Sequence, residues 1–180
     1  TAIVAITGVS GGSATEDGTQ SVTITISEAG ESAPTVTLTT SASSIAENSG
    51  SSLTLTATLS NATYEDVTVS IGTGSTATEG TDYATISDIT ISAGATTGTV
   101  SFTPTDDSLY EDDEIAAVSI TGVSGGAATE NGSQSVTITI TENESAPTIT
   151  LSVSSSTVTE GSSLTITATM SKASHEDIIV

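Results

Sequence analysis

Carboxylates are the side chains in this sequence that are concentrated enough to do chemistry. Six acids lie between Asp106 and Glu114, and the whole chain has 22 Asp and Glu against a single Lys or Arg. Carboxylates held within a few ångströms of one another repel strongly unless a cation neutralises them. Because the sequence has no cysteine and one histidine, oxygen-only ligation favours Ca²⁺, which takes about 6–8 oxygens, over transition metals.

The net charge of −21 argues against several classes of function. A surface this negative repels phosphate backbones and anionic lipids, so we expect no nucleic-acid partner. No apolar run approaches the ~18 residues of a membrane-spanning helix, so no membrane span is expected. The sequence has no Ser/His/Asp constellation and no phosphate-binding loop, and its aromatic residues are too few to line a cleft beside paired carboxylates. We therefore expect no enzyme activity.

Internal repetition organises the chain. The segment Ile6–Gly12 recurs as Ile120–Gly126, and Leu53–Thr58 recurs with one substitution as Leu164–Thr169. We interpret the sequence as a segment of a longer tandem array, with one complete repeat between two partial ones. The predicted parts are the C-terminal part of one repeat (1–32), a complete repeat (33–146) and the N-terminal part of another (147–180).

Val, Ile, Leu and Ala alternate with Thr and Ser along the chain, which is typical of β-strands with one buried and one wet face. Runs bounded by Gly, Asn and Ser predict seven or eight strands in the complete repeat and no helix. About 110 residues with seven short strands indicate an all-β fold, an immunoglobulin-like antiparallel β-sandwich. The predicted inward-facing residues are Leu53, Leu55, Ala57, Leu59, Val67, Val69, Ile71, Val100, Phe102, Val118, Ile120, Val136, Ile138 and Ile140.

A sandwich of this topology gathers three loops of the complete repeat at one pole, beside the exit of the last strand. Acids that are distant in sequence would converge there, which favours a metal site. The remaining alternative is that these acids are solvated loop residues that keep the chain soluble. The predicted ligands are Glu47, Asp82, Asp88, Asp106, Asp107, Glu111 and Glu114, with Glu142 or Glu144 of the following linker to complete a calcium shell.

Two acidic motifs resemble those of the Calx-β domain. Gly74–Tyr83 and Thr105–Glu114 are similar to the family's G-T-A-x-x-G-x-D-Y and D-D-x-x-x-E-x-x-E segments. The sequence departs from the family at Gly74, where some members have Asp, and at Ser108, which replaces the third Asp of a D-D-D run. The resemblance implies an antiparallel β-sandwich that often binds calcium through these same loops, with one or two ions expected here. The residues that match the family best are Glu47, Asp82, Asp106 and Asp107.

Among Calx-β domains, this version is most similar to the tandem arrays of large bacterial surface adhesins. Near-identity between repeats favours a structural spacer, the stalk or filament of an extracellular, cell-surface or secreted protein that calcium makes rigid. Expected partners are neighbouring repeats of the same chain or fibre, and a host or cell-surface ligand at a distal tip outside this segment. Two other functions stay open, a calcium-sensing regulatory module of exchanger type and a lectin-like domain.

Overall fold

A computed structural model of the chain describes residues 1–26 and 32–180. Residues 27–31, near the end of the first predicted partial repeat, lie outside the described residues. The chain divides into two compact units, Thr1–Ser32 and Ala33–Val180. In the first unit, strands β1 (Ala2–Ala5) and β2 (Ser21–Ile24) pair as an antiparallel hairpin.

Nine strands of the second unit form two layers. They are β3 (Thr35–Thr40), β4 (Ser44–Ala46), β5 (Leu53–Leu59), β6 (Val67–Ser75), β7 (Ile89–Ile91), β8 (Thr97–Phe102), β9 (Glu114–Ser124), β10 (Thr129–Glu130) and β11 (Ser135–Thr141). One sheet has the order β10-β3-β5-β8 and the other the order β4-β11-β9-β6-β7. The predicted all-β sandwich is confirmed. Within the described residues, the helical content is one 3₁₀ turn, Glu47–Ser49.

Strand pairing in the sandwich is antiparallel except at two edges, where β10 pairs with β3 and β11 pairs with β4 in parallel. The predicted sandwich was antiparallel, and these two edge pairs are the exceptions. At the β11 edge, the second half of the first predicted strand, β4, crosses to the other sheet and lies beside β11. This crossing carries Glu47, which directly follows β4, to the pole where β11 ends.

The core lies between the two sheets, as the alternation predicted. Ten of the predicted inward-facing residues are buried, and the other four, Leu53, Ile71, Val100 and Val136, are partly buried and pack against the core. Two fully buried aromatic residues, Tyr83 and Phe102, stack with ring centroids 4.8 Å apart. Because Tyr83 follows Asp82 and Phe102 ends β8, this pair anchors two of the loops that carry acidic residues.

Residues after the sandwich form a separate antiparallel hairpin of β12 (Ile149–Val153) and β13 (Ile166–Met170). By the sequence repeat, these strands correspond to β3 and β5, whose inward faces are buried in the sandwich. In β12 and β13, every residue is exposed. In the part of the chain that the structure describes, no helix has the length and hydropathy required to cross a membrane.

Candidate metal centre

Acidic side chains from four segments meet at one pole of the sandwich. The segments are the turn after β4, the β6–β7 loop, the stretch from β8 into β9, and the residues after β11. They enclose a narrow cleft with about 10 Å³ of accessible space, roughly enough for one particle of water size. The carboxylates that line it belong to Glu47, Asp82, Asp107, Glu111, Asp112, Glu114 and Glu142.

Two groups of three carboxylates stand out within this pole. The first group, the linker triad, is Glu47, Glu142 and Glu144; the second, the loop triad, is Asp82, Glu111 and Glu114. Within each triad, one oxygen atom per residue lies within 4.8 Å of the others. Since Ca²⁺–oxygen distances are about 2.3–2.6 Å, two oxygens that share a calcium ion lie at most ~5 Å apart. The spacing of each triad therefore suits a single calcium ion.

Glu47 is the most buried acid of the pole, with 7% of its surface exposed. Its Oε1 atom accepts a hydrogen bond of 2.9 Å from the backbone N–H of Asp107, which joins the turn after β4 to the β8–β9 loop. Burial raises the pKa of Glu47; the hydrogen bond from Asp107 opposes this shift, and the charges of Glu142, Asp107 and Glu144 add to it. The carboxylate is thus held among like charges in a poorly hydrated position.

A tight turn positions Asp82 of the loop triad. Gly80 has a φ of +87°, a left-handed conformation that favours glycine, and its N–H donates to the carbonyl of Tyr83 at 2.8 Å. The N–H of Asp82 donates to the carbonyl of Thr78 at 2.9 Å, and the Asp82 carboxylate accepts from the N–H of Thr78. The Gly-Thr-Asp-Tyr motif is therefore a local turn that fixes one carboxylate.

Crowding shifts the protonation of the loop triad. Burial, a hydrogen bond to Asp82 and the charges of Asp82, Glu111 and Glu47 raise the pKa of Glu114 to about 7. Burial and the charge of Asp82 likewise raise the pKa of Glu111. Glu142 behaves differently because backbone hydrogen bonds from Glu144 and Glu111 outweigh its burial and lower its pKa. A bound divalent cation would relieve this mutual repulsion.

The linker triad contains an uncompensated polar atom. Within residues 1–26 and 32–180, the Oε2 atom of Glu144 is shielded from solvent and has no hydrogen-bond partner. A buried carboxylate oxygen with no partner is costly unless a cation or donor reaches it. The single Lys or Arg of the sequence, Lys172, donates instead to Oγ of Ser145 at 3.1 Å. The donor set therefore fits a hard, oxygen-binding cation such as Ca²⁺.

Five of the seven predicted ligands line the cleft, and Asp106 and Asp88 do not. Asp106 lies near the linker triad, where its charge adds to the close approach of the Glu142 carboxylate in raising the pKa of Glu144. Asp88 precedes β7 and accepts hydrogen bonds of 3.1 Å from Oγ of Ser70 and from the N–H of Ile71. It lies apart from both triads because it satisfies β6 just beyond the β6–β7 pairing.

Sequence reasoning offered Glu142 and Glu144 as alternative linker ligands, and the structure places both beside Glu47. The carboxylate of Glu142 accepts hydrogen bonds from the N–H groups of Glu111 and Glu144, which joins the linker to the β8–β9 loop. Asp112, which lines the cleft, was not predicted. The signal that identifies Glu142 and Glu144 is their position directly after β11, at the pole where that strand ends.

The segment after the linker contacts this pole through one loop. The N–H of Tyr110 donates to the carbonyl of Ala173 at 3.5 Å, and the N–H of His175 donates to the carbonyl of Tyr110 at 3.0 Å. Nδ1 of His175 lies 3.0 Å from Oε1 of Glu111, a member of the loop triad. The loop triad is therefore joined to the segment that follows the sandwich.

Without metal ions, the chain should become less stable as the pH rises through about 7. The pKa of Glu114 is about 7 in the folded chain against an ordinary value of 4.5, so between these values the folded state binds more protons than the unfolded state. The stabilisation that protonation of Glu114 contributes is complete below its ordinary pKa of 4.5 and is lost as the pH rises through its raised pKa of about 7. The raised pKa values of Glu47 and Glu111 act in the same direction, and the lowered pKa of Glu142 opposes them.

Urea unfolding of the metal-free chain at mildly acidic and mildly alkaline pH measures this dependence. Glu114→Gln should remove most of it, because the amide does not titrate. Glu160→Gln, at an exposed position outside the pole, should leave it intact. Equal stability of the parent chain at both pH values would contradict the prediction.

Solved structures with low sequence identity resemble this chain. The apo-form Calx CBD1 domain has a similar structure, with a TM-score of 0.50 and 16% sequence identity over 61% of this chain and 99% of that one. CBD12 of CALX1.2 has a TM-score of 0.47 and 18% identity, over 54% of this chain and 40% of that one. The calcium binding domain CBD12 of CALX1.1 has a TM-score of 0.49 and 18% identity, over 61% and 46%.

The chain thus spans less than half of the two CBD12 structures and nearly all of CBD1. The likeness to CBD1 shows a shared β-sandwich fold. No curated protein matches the sequence. The family model of the LapA domain matches residues 33–143, which include the sandwich, the loop triad and Glu47 and Glu142 of the linker triad. This chain belongs to the LapA domain family.

Proposed function

We propose that this chain is a calcium-binding structural segment of a long extracellular surface protein, an adhesin stalk or filament. The observation that carries the proposal is the pair of carboxylate triads at one pole, where the buried Glu47 and the unpartnered Oε2 atom of Glu144 lack a compensating cation among the described residues. Membership of the adhesin-related LapA family supports the surface location. LapA-type and Calx-β domains are non-catalytic binding or structural domains, which supports a role without enzyme activity.

One Ca²⁺ would be held by the linker triad and another by the loop triad. Bound calcium supplies positive charge that neutralises the crowded carboxylates. Glu47 belongs to the sandwich, whereas Glu142 and Glu144 follow β11 in the linker. Their shared ligation would fasten the linker to the body of the repeat. Pro147 further restricts the linker backbone.

Calcium at this pole would stiffen the joint between consecutive repeats. We assign residues 33–146 to a complete repeat and residues 1–32 and 147–180 to parts of its neighbours. The loop of residues 171–177 contacts Tyr110 and Glu111, so an ordered loop triad would also hold the following repeat. Without calcium, repulsion among the same acids would loosen the joint. A chain of such joints would be stiff where calcium is abundant, as it is outside cells.

Calorimetric titration of the metal-free chain with CaCl₂ tests the calcium site. We expect two ions per chain, and one ion after Glu47→Gln with Glu142→Gln or after Asp82→Asn with Glu114→Gln. Asp17→Asn with Glu160→Gln removes the same charge from exposed positions and should leave both sites. Dissociation constants of ~10⁻⁴–10⁻³ M fit an extracellular structural site, whereas ~10⁻⁷–10⁻⁵ M indicates a calcium sensor. Absence of binding contradicts both functions.

A further inference from the structure

The loop Ser171–Asp177, in the segment after the linker, contacts the acidic pole of the sandwich. Its Ala173 and His175 exchange backbone hydrogen bonds with Tyr110, and the His175 ring contacts the carboxylate of Glu111. We propose that the loop Ser60–Asp66 of the complete repeat is a docking surface of the same kind, with Tyr64 as its central contact. Its partner is the acidic loop of another LapA repeat, of the type formed here by residues 106–114; the inference rests on the proposed tandem arrangement.

The two loops are equivalent in sequence and position. Ser60-Asn-Ala-Thr-Tyr-Glu-Asp66 corresponds residue by residue to Ser171-Lys-Ala-Ser-His-Glu-Asp177. Each loop follows directly after the second strand of its hairpin, β5 in one case and β13 in the other. Tyr64 therefore occupies the position of His175. Both side chains have a planar ring with a group that can donate a hydrogen bond to a carboxylate.

The loop Ser60–Asp66 is held in place by its own repeat. The buried Thr63 donates through Oγ1 to the carbonyl of Glu65 at 2.6 Å, and its carbonyl accepts from the N–H of Gly94 at 2.7 Å. The carboxylate of Asp66 accepts from the N–H of Ala93 at 2.8 Å. The loop conformation is thus fixed before any partner binds, which lowers the entropic cost of docking.

The repeated Gly-Gly motif supports the same loop from the other side. The N–H of Gly126 donates to the carboxylate of Glu65 at 3.3 Å. Gly125 has a φ of +94°, and a Cβ atom there would lie 2.1 Å from the carbonyl oxygen of Asp66. Glycine is required at this contact for both reasons. The carboxylates of Glu65 and Asp66 are thus engaged by backbone N–H groups of their own repeat.

The groups of the loop Ser60–Asp66 that remain free to bind are the equivalents of those by which the loop Ser171–Asp177 contacts the acidic pole. The Tyr64 side chain is 87% exposed, although large aromatic residues are scarce in this sequence and the other described tyrosines are more buried. Among the described residues, no hydrogen bond engages the carbonyl of Ala62 or the N–H of Tyr64. These are the equivalents of the Ala173 carbonyl and the His175 N–H that bind Tyr110. The geometry therefore matches an acidic loop that offers one free peptide unit and one carboxylate.

Exchanging the loops within this chain tests the equivalence. The triple variant Lys172→Asn, Ser174→Thr, His175→Tyr gives the second loop the sequence of the first. Its Tyr110 amide should exchange with solvent hydrogen within about threefold of the parent rate, because the docked hydrogen bond is retained. The matched control His175→Pro removes the N–H donor and should accelerate this exchange by about tenfold or more. If the triple variant exchanges as fast as the proline variant, the proposal is wrong.

A longer chain tests Tyr64 directly. A second copy of residues 35–180 placed after residue 147 keeps the natural spacing and offers Tyr64 of the second copy to Tyr110 of the first. Exchange at the first Tyr110 should be slow, faster after Tyr64→Ala in the second copy, and slow again after Tyr64→His. Rates unaffected by residue 64 overturn the inference. Measurement in chelator separates this result from the calcium proposal, which fails independently if added calcium leaves melting unchanged.

Discussion

Saturating calcium should raise the melting temperature of the chain by about 10 °C for each occupied site. Free calcium at a hundred times the dissociation constant stabilises the folded state by about 2.7 kcal/mol per site. For a domain of this size, 1 kcal/mol corresponds to roughly 4 °C. Removal of carboxylate repulsion in the two triads is the physical cause. Scanning calorimetry in CaCl₂ and in chelator measures the shift.

Variants in the triads separate ion binding from general salt effects. Glu47→Gln combined with Glu114→Gln removes one charge from each triad. This double variant should be more stable than the parent in chelator, since like-charge repulsion falls, yet gain little from calcium. Magnesium should stabilise the parent less, because it dehydrates reluctantly and demands a stricter octahedron. Coincident melting curves of the parent with and without calcium would mean that the acids are merely solvated.

Replacement of Phe102 by alanine should destabilise the chain by about 3–5 kcal/mol. Phe102 is fully buried and stacks on Tyr83 with an interplanar angle of 26°, so the variant loses apolar burial, aromatic contact and packing around a new cavity. Denaturant unfolding in chelator measures the loss. Since Tyr83 directly follows Asp82 in sequence, calcium affinity of the loop triad should fall as well.

An exposed aromatic residue supplies the matched control for Phe102. Tyr64→Ala removes a side chain of similar size that is 87% exposed, and in this 180-residue chain it should change stability by no more than about 0.5 kcal/mol. Equal losses for the two variants would refute the assignment of Tyr83 and Phe102 as the anchor of the acidic loops.

The strands and the core follow from local patterns in the sequence. Alternation of Thr and Ser with Val, Ile and Leu assigns alternate residues to one face of a strand, because successive side chains point in opposite directions. Leu55, Ala57 and Leu59 are buried as this period requires. The same pattern did not reveal that β4 crosses to the other sheet, since this crossing depends on pairing with β11, which is distant in sequence.

The convergence of acids at one pole also followed from sequence, because the order of strands in a sandwich determines which loops share an end. Only the tertiary structure decided how the acids are grouped. It assigned Glu142 and Glu144 to Glu47, and Asp82 to Glu111 and Glu114. It directed Asp88 to the backbone of β6 instead. Composition and spacing specify how many carboxylates reach the pole, whereas the direction of each side chain depends on loop hydrogen bonds that form only after the two sheets have packed.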